Sequence, residues 1–249
     1  MKRAPIFIVV LLMAAALYPA QSMAQAKKPK PSISPADSAA VIKNFTTATG
    51  GSGLLYQYHI VYTFKVKGKD SSSNDTLSVA ITDRHDIRAD MSMAGLQTHS
   101  LGHAGLPGYS ILLYPQNKTF VLHIIDTAAI NSGPAYQVTK VGNETVSGYK
   151  CIHSRLTVVT AGQKSGITED IWTSTDVPGY TIMDKLMALQ NVTPKMMQAL
   201  DKAGCGGFFV KMDMQSTVFS MDMQIITASR GNFPASMFQI PAGYTQRAM

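Results

Sequence analysis

Hydrophobic and polar residues alternate with period 2 along much of this chain. Tyr56, Tyr58, Ile60, Tyr62, Phe64 and Val66 fall on one side of an extended segment, and Gln57, His59, Thr63, Lys65 and Lys67 dominate the other. Successive side chains of a strand point to opposite faces, so the pattern predicts an antiparallel sheet with one face covered or concave. Residues 68–74 read as a polar turn, after which Leu77, Val79 and Ile81, then Ile87, Ala89, Met91 and Met93, continue the alternation. The glycine-rich stretch 94–108 reads as a loop or irregular edge. Strands at 111–114 and 120–125 flank Pro115-Gln116-Asn117-Lys118, a hairpin pattern. Another strand is expected at 136–141, a turn at Gly142-Asn143, and a strand pair at 149–159 and 167–175. Phe208, Val210, Met212 and Met214 share one face of a later strand, and Phe219, Met221, Met223 and Ile225 share one face of the last.

The helical signals are fewer. Residues 35–48 can form a short helix with Ser34 as N-cap and Pro35 at its first position. Pro178-Gly179 ends the run of strands. Ile182, Met183, Leu186, Met187 and Leu189 then show helical spacing. Thr193 and Pro194 open a further helix whose apolar face is Met196, Met197 and Leu200, and Gly204 stops it. The expectation is one α+β, mainly β domain over residues 35–249. It is a curved antiparallel sheet of about ten strands with two or three helices across it.

The ends of the chain add a location. Lys2 and Arg3, the apolar run 6–17 and Ala24-Gln25-Ala26 read as a secretory signal peptide cleaved after Ala26. The apolar run is shorter than a membrane span of about 20 residues, and no cysteine near the cleavage site offers a lipid anchor. Residues 27–34 form a basic, proline-rich, disordered linker. The chain is expected to be exported, periplasmic or secreted, and not lipid-anchored. Its net charge of +7 includes Lys2, Arg3, Lys27, Lys28 and Lys30 in these leading segments. The folded part is therefore close to balanced and lacks the basic patch that nucleic-acid binding needs. Two cysteines are present, Cys151 and Cys205. In an oxidising compartment they can pair, or they can stay as free buried thiols.

Candidate chemistry is sparse. The 15 methionines include three Met-x-Met pairs, Met91/Met93, Met212/Met214 and Met221/Met223. Each pair puts both thioethers on one face of its strand. Three readings follow: an ordinary core with methionine as gap-filler, an adaptable lining for an apolar ligand, or a Cu(I) site. The spread of pairs over separate strands weighs against copper. His99 and His103 stand four apart among glycines, and with Asp86 or Asp90 they would be the weak candidates for zinc. There is no Gly-x-Ser-x-Gly elbow and no evident carboxylate pair, so no catalytic residue, metal site or cofactor is assigned. Trp172 and Tyr149 read as core anchors.

One stretch carries a resemblance. Gly148-Tyr149-Lys150-Cys151 opens a strand, and Asp170-Ile171-Trp172-Thr173 returns to Asp176-Val177-Pro178-Gly179. With the closing Phe238-Gln239-Ile240-Pro241-Ala242-Gly243-Tyr244, it resembles domain of unknown function 4412, a family of mostly exported Bacteroidetes proteins. The resemblance implies a half-barrel similar to the LolA/LolB-type lipoprotein carriers, with helices on the concave face and an acyl-binding cavity between. It carries no catalytic residues over. The function expected is non-enzymatic binding or carriage of an apolar or lipid ligand. Tyr58, Ile60, Tyr62, Phe64, Met212, Met214, Met221 and Met223 would line the cavity. The alternatives are a copper-binding module on the Met-x-Met pairs, or a structural component with an envelope protein partner.

Overall fold

The computed structural model describes residues 34–66, 69–93, 96–103, 105–106, 108–124, 135–160, 163–180, 195–215 and 219–247. The expected signal peptide, nearly all of the linker and the helical pattern of 181–194 lie outside the described residues.

The first helix, α1 (Pro35–Thr46), begins where the sequence places it. Ser34 caps it by accepting from the Asp37 amide at 3.1 Å, with proline at the first position. Twelve strands follow in one sheet: β1 (Gly51–Val66), β2 (Lys69–Thr82), β3 (Asp86–Met93), β4 (Leu96–His103), β5 (Tyr109–Tyr114), β6 (Thr119–Ile124), β7 (Ala135–Val146), β8 (Tyr149–Thr160), β9 (Gln163–Ser174), β10 (Phe208–Gln215), β11 (Phe219–Phe233) and β12 (Thr245–Gln246). A second helix, α2 (Lys195–Lys202), precedes β10. The spatial order is β12-β6-β5-β4-β3-β2-β1-β11-β10-β9-β8-β7. Every pairing is antiparallel except β12 on β6, which is parallel.

Three expectations change. Residues 96–103 are a full strand paired on both sides, not a loop. Residues 69–74 belong to β2, because Lys69 already pairs with Val66. Gly142-Asn143 is not a turn: β7 runs on to Val146, with a register shift between Lys140 and Gly142. The turn lies at Ser147-Gly148, both at positive φ (49° and 83°). Two successive left-handed residues are what a tight hairpin between twisted strands requires, whereas a glycine inside a strand marks a bulge.

The sheet buries opposite faces at its two ends. Ile87 and Ala89 of β3 share a face with Tyr56, Val79 and Ile81, and all five pack in the larger core. In β4 to β6 the buried apolar residues are Leu101, Ile111, Leu113, Phe120 and Leu122. Register puts these on the other face, since Leu101 lies opposite Arg88 and Ile111 opposite Leu101. There Val41 and Phe45 of α1 cover them. The C-terminal segment lies on this second face too, where the Ile240 amide donates to Phe45 O at 3.1 Å and Arg88 Nη1 to Met237 O at 3.0 Å. One helix therefore sits across the sheet from where a cover on a single face would place it.

Candidate functional site

The larger core is built from the alternation that the sequence shows most clearly. Tyr58, Ile60 and Tyr62 of β1 lie opposite Ile225, Met223 and Met221 of β11. On β11's far side, Met223 pairs with Met212 and Met221 with Met214 of β10. The four methionines are thus a two-by-two block on neighbouring strands rather than dispersed pairs. Continuing outward, Met212 faces Ile171 and Met214 faces Glu169 of β9. Those in turn oppose Ser154 and Leu156 of β8. Two cross-strand rows result. One reads Asp75, Ile60, Met223, Met212, Ile171, Ser154. The other reads Ser73, Tyr62, Met221, Met214, Glu169, Leu156.

Seven of the eight expected lining residues come together in this cluster: Tyr58, Ile60, Tyr62, Met212, Met214, Met221 and Met223, all buried. Phe64 pairs with Phe219 in the backbone register, and its side chain lies outside the described residues. Met196, Met197 and Leu200 of α2 pack into the same cluster. The helix ends as expected at Gly204 (φ 66°), with the Cys205 amide donating to Leu200 O at 2.8 Å.

The tyrosines tie the cover down with their hydroxyls. Tyr56 Oη donates to Pro178 O at 2.7 Å, and Tyr58 Oη donates to Phe209 O at 3.1 Å. Burial pushes both phenols well above their ordinary range, and burial with the nearby Asp75 carboxylate pushes Tyr62 up to about 12. All three stay protonated donors. Gly179 (φ 79°) is required beneath them, because a Cβ there would run into Leu54 Cδ1 and Tyr56 Oη. The Asp-Val-Pro-Gly motif thereby seats the chain against the tyrosine–methionine face.

Polar groups on this face are what sequence reading missed. Glu169 is 5% exposed. Burial alone pushes its carboxyl up to about 7. The signal was available: Glu169 occupies the apolar phase of Ile167, Ile171 and Thr173. Ser154 Oγ is also buried, without a partner among the described residues. Asp75, at the opposite flank, accepts from Ser73 Oγ at 2.9 Å.

The signature hairpin borders the site and contributes Cys151, Trp172 and Val177 to the same core. Trp172 shares its face with Lys211 and His153, the reverse of the one carrying Ile171. Its ring stacks on His153 (centroids 4.1 Å apart), lies under Lys211 Nζ at 4.8 Å, and its Nε1 donates to Glu144 Oε2 at 3.0 Å. His153 also bonds Glu144 Oε1 at 2.8 Å and Asp170 Oδ1 at 3.0 Å. Hydrogen bonds from Trp172 and His153 hold the Glu144 carboxyl below its ordinary value. These bonds brace the hairpin, and Trp172 is buried as a member of the larger core, with Tyr149 packed against it, as the sequence reading of both as core anchors expects.

The remaining candidates are brought to separate places. Cys151 and Cys205 are free, buried thiols in this structure. Both belong to the larger core, and the Cys205 carbonyl accepts from Thr173 Oγ1 at 2.7 Å. His99 bonds Asp90 at 2.7 Å and His103 bonds Asp86 at 3.2 Å, as two ion pairs along β3 and β4. Among the described residues no group of three or more His, Cys, Asp or Glu side chains gathers to hold a metal. Near α1 a groove of about 620 Å³ is lined by Ser38, Ala39, Ile42, Lys43, Thr46, Phe120 and Gln246. No helix among the described residues is long and apolar enough to cross a membrane.

Residues 70–244 match the family model described as Domain of unknown function (DUF4412). The chain belongs to this family. No curated protein matches the sequence. Solved structures similar to this family member include lipoprotein LppX from Mycobacterium tuberculosis, 10% identical with a TM-score of 0.34, over 78% of this chain and 94% of that one. A LolA superfamily protein from Nitrosomonas europaea is 8% identical with a TM-score of 0.32, over 84% and 98%. The MucA/MucB complex of Pseudomonas aeruginosa matches at 12% identity and a TM-score of 0.37, over 83% of this chain and 61% of that one.

Proposed function

We propose that this protein is a non-enzymatic, exported binding or carrier protein for an apolar or acyl-bearing ligand. The observation that supports it is the continuous row of tyrosine and methionine side chains across β1, β11 and β10, in one cluster with Met196, Met197 and Leu200 of α2. An ordinary core favours branched side chains with fixed rotamers. Methionine repacks at low cost around a guest. The row is buried in this structure, so a chain enters by letting the thioethers rearrange. Tyr58, Ile60, Tyr62, Met212, Met214, Met221 and Met223 form the lining, and Phe64 continues the β1 alternation in the sequence.

Native mass spectrometry and solvent extraction of the purified protein test this. Bound acyl lipid is expected, and after its removal a diazirine-bearing dodecyl probe crosslinks to β10 or β11. Absence of lipid together with no saturable probe uptake overturns the reading. The paired thioethers Met212/Met223 and Met214/Met221 also suit a soft ion. Anaerobic Cu(I) uptake abolished by leucine at these four positions, in protein that takes no acyl probe, favours the copper-binding alternative instead.

A further inference from the structure

Two buried polar side chains interrupt the apolar face, and both point to a ligand. Glu169 on β9 lies directly between Met214 of β10 and Leu156 of β8. Ser154, two residues from Leu156, occupies the diagonal position on the same face, opposite Ile171. Diagonal neighbours in an antiparallel pair stand about 7–8 Å apart at the backbone, close enough for one small polar group to reach both side chains. Glu169 is 5% and Ser154 0% exposed; among the described residues Ser154 Oγ has no hydrogen-bond partner, and burial is the only influence that shifts the Glu169 carboxyl. A buried polar group left unpaired is costly, and such groups in folded proteins nearly always find a partner. Among the described residues, β10 presents Met214 and β8 presents Leu156 at this level, and α2 contributes Met196, Met197 and Leu200 to the same cluster. The charged neighbours Asp170, Arg155 and Asp213 occupy the reverse face, with Arg155 already on Asp170 at 3.0 Å.

We propose that Glu169, with Ser154 beside it, anchors the polar end of the ligand, and that this end donates hydrogen bonds. The ligand class is an amphiphile with an amine or hydroxyl head on an alkyl chain, in preference to an anionic fatty acid. The alkyl chain lies along Met214, Met221 and Tyr62, and the head meets the carboxyl at the end of that row. With Glu169 ionised, an ammonium head gains an ion-paired hydrogen bond, a hydroxyl gains a weaker one, and a carboxylate meets repulsion. The inference rests on the carrier reading and specifies which headgroup the site selects.

Displacement of a bound fluorescent acyl probe by dodecylamine, 1-dodecanol and sodium dodecanoate at about pH 8, where the raised carboxyl is ionised, tests it, in the wild type, Glu169→Gln and Glu169→Leu. The wild type is expected to prefer dodecylamine to dodecanoate by about tenfold or more, the worth of one charge-assisted hydrogen bond. Glu169→Leu is expected to lose that preference while holding dodecanol within a few-fold. Glu169→Gln keeps the side-chain shape, guards against misfolding of the leucine variant, and should lose the amine preference too. An amine preference that is absent in the wild type, or that survives in both variants while dodecanol binds, overturns the anchor and leaves the carrier reading standing. Failure of the wild type to take any of the three probes overturns both.

Discussion

The half of the sheet around β1, β10 and β11 and the half formed by β4 to β6 solve the same packing problem with different materials. The first buries tyrosine and methionine on one face, in one cluster with Met196, Met197 and Leu200 of α2 and beside the Pro178-Gly179 turn. The second buries Leu101, Ile111, Leu113, Phe120 and Leu122 on the reverse face, under Val41 and Phe45 of α1. Branched and aromatic residues with restricted rotamers make a well-defined fixed core, whereas methionine makes an adaptable one. Buried polar groups occur in both halves. In β3 to β5, burial would raise the Asp90 carboxyl, but hydrogen bonds from His99 and Arg88 outweigh it and hold it lowered, while Ser110 Oγ is buried without a hydrogen-bond partner among the described residues. On the tyrosine–methionine face Ser154 Oγ is buried in the same way, and burial alone raises the Glu169 carboxyl. The contrast in apolar side chains reads as one half made to hold the fold and the other to admit something.

Removing the anchor of the fixed half should have the largest effect. Phe45 is fully buried between α1 and the sheet, and Phe45→Ala should cost about 3–5 kcal/mol in denaturant unfolding. Hydrogen exchange sharpens the comparison. Protection should fall first in α1 and β4 to β6 and persist in β1 and β11. Uniform loss across all strands would mean that the two halves are one cooperative unit.

The next effect tests the adaptable half by pH. Burial raises the Glu169 carboxyl from an ordinary 4.5 to about 7 in the folded protein. The folded state therefore holds its proton over a range where the unfolded state has lost it. Stability attributable to this group is fully present below pH 4.5 and declines as pH rises through about 7, by on the order of 3 kcal/mol. Glu169→Gln should flatten that decline and melt higher than the wild type at pH 8. An unchanged pH slope in the variant would show that the carboxyl finds a partner when ionised.

These differences were only partly legible in the sequence. The Ser34-Pro35 cap, the β1 alternation and the hairpin at Pro115–Asn117 follow from local rules, and the structure reproduces them. The face switch between β3 and β4 does not. It depends on which residue of β4 lies opposite Arg88, and β4 hides its apolar phase behind His99, Ser100, Gly102 and His103. The Met-x-Met pairs were visible, but their assembly into one block needed the β10/β11 register. Glu169 stood at an apolar phase in plain view. Reading its significance required knowing that both neighbouring strands offer only apolar side chains at that level.

The smallest effect bears most directly on whether methionine in the adaptable half is structural or functional. Leucine at Met212 and Met223 nearly conserves volume, so each change should cost under about 1.5 kcal/mol. If the methionines only fill space, the double variant Met212→Leu/Met223→Leu should also bind acyl probes as the wild type does. If they serve as a yielding lining, stability should stay nearly constant or rise while binding of bulkier or branched chains weakens. Leucine's branched side chain cannot rearrange around varied shapes as a flexible thioether does. The same leucine swap has no counterpart in the α1 half, where Leu101, Ile111 and Leu113 are already branched and fully buried. Equal ligand range in the variant and the wild type would therefore erase the functional contrast between the halves, even with every structural difference intact.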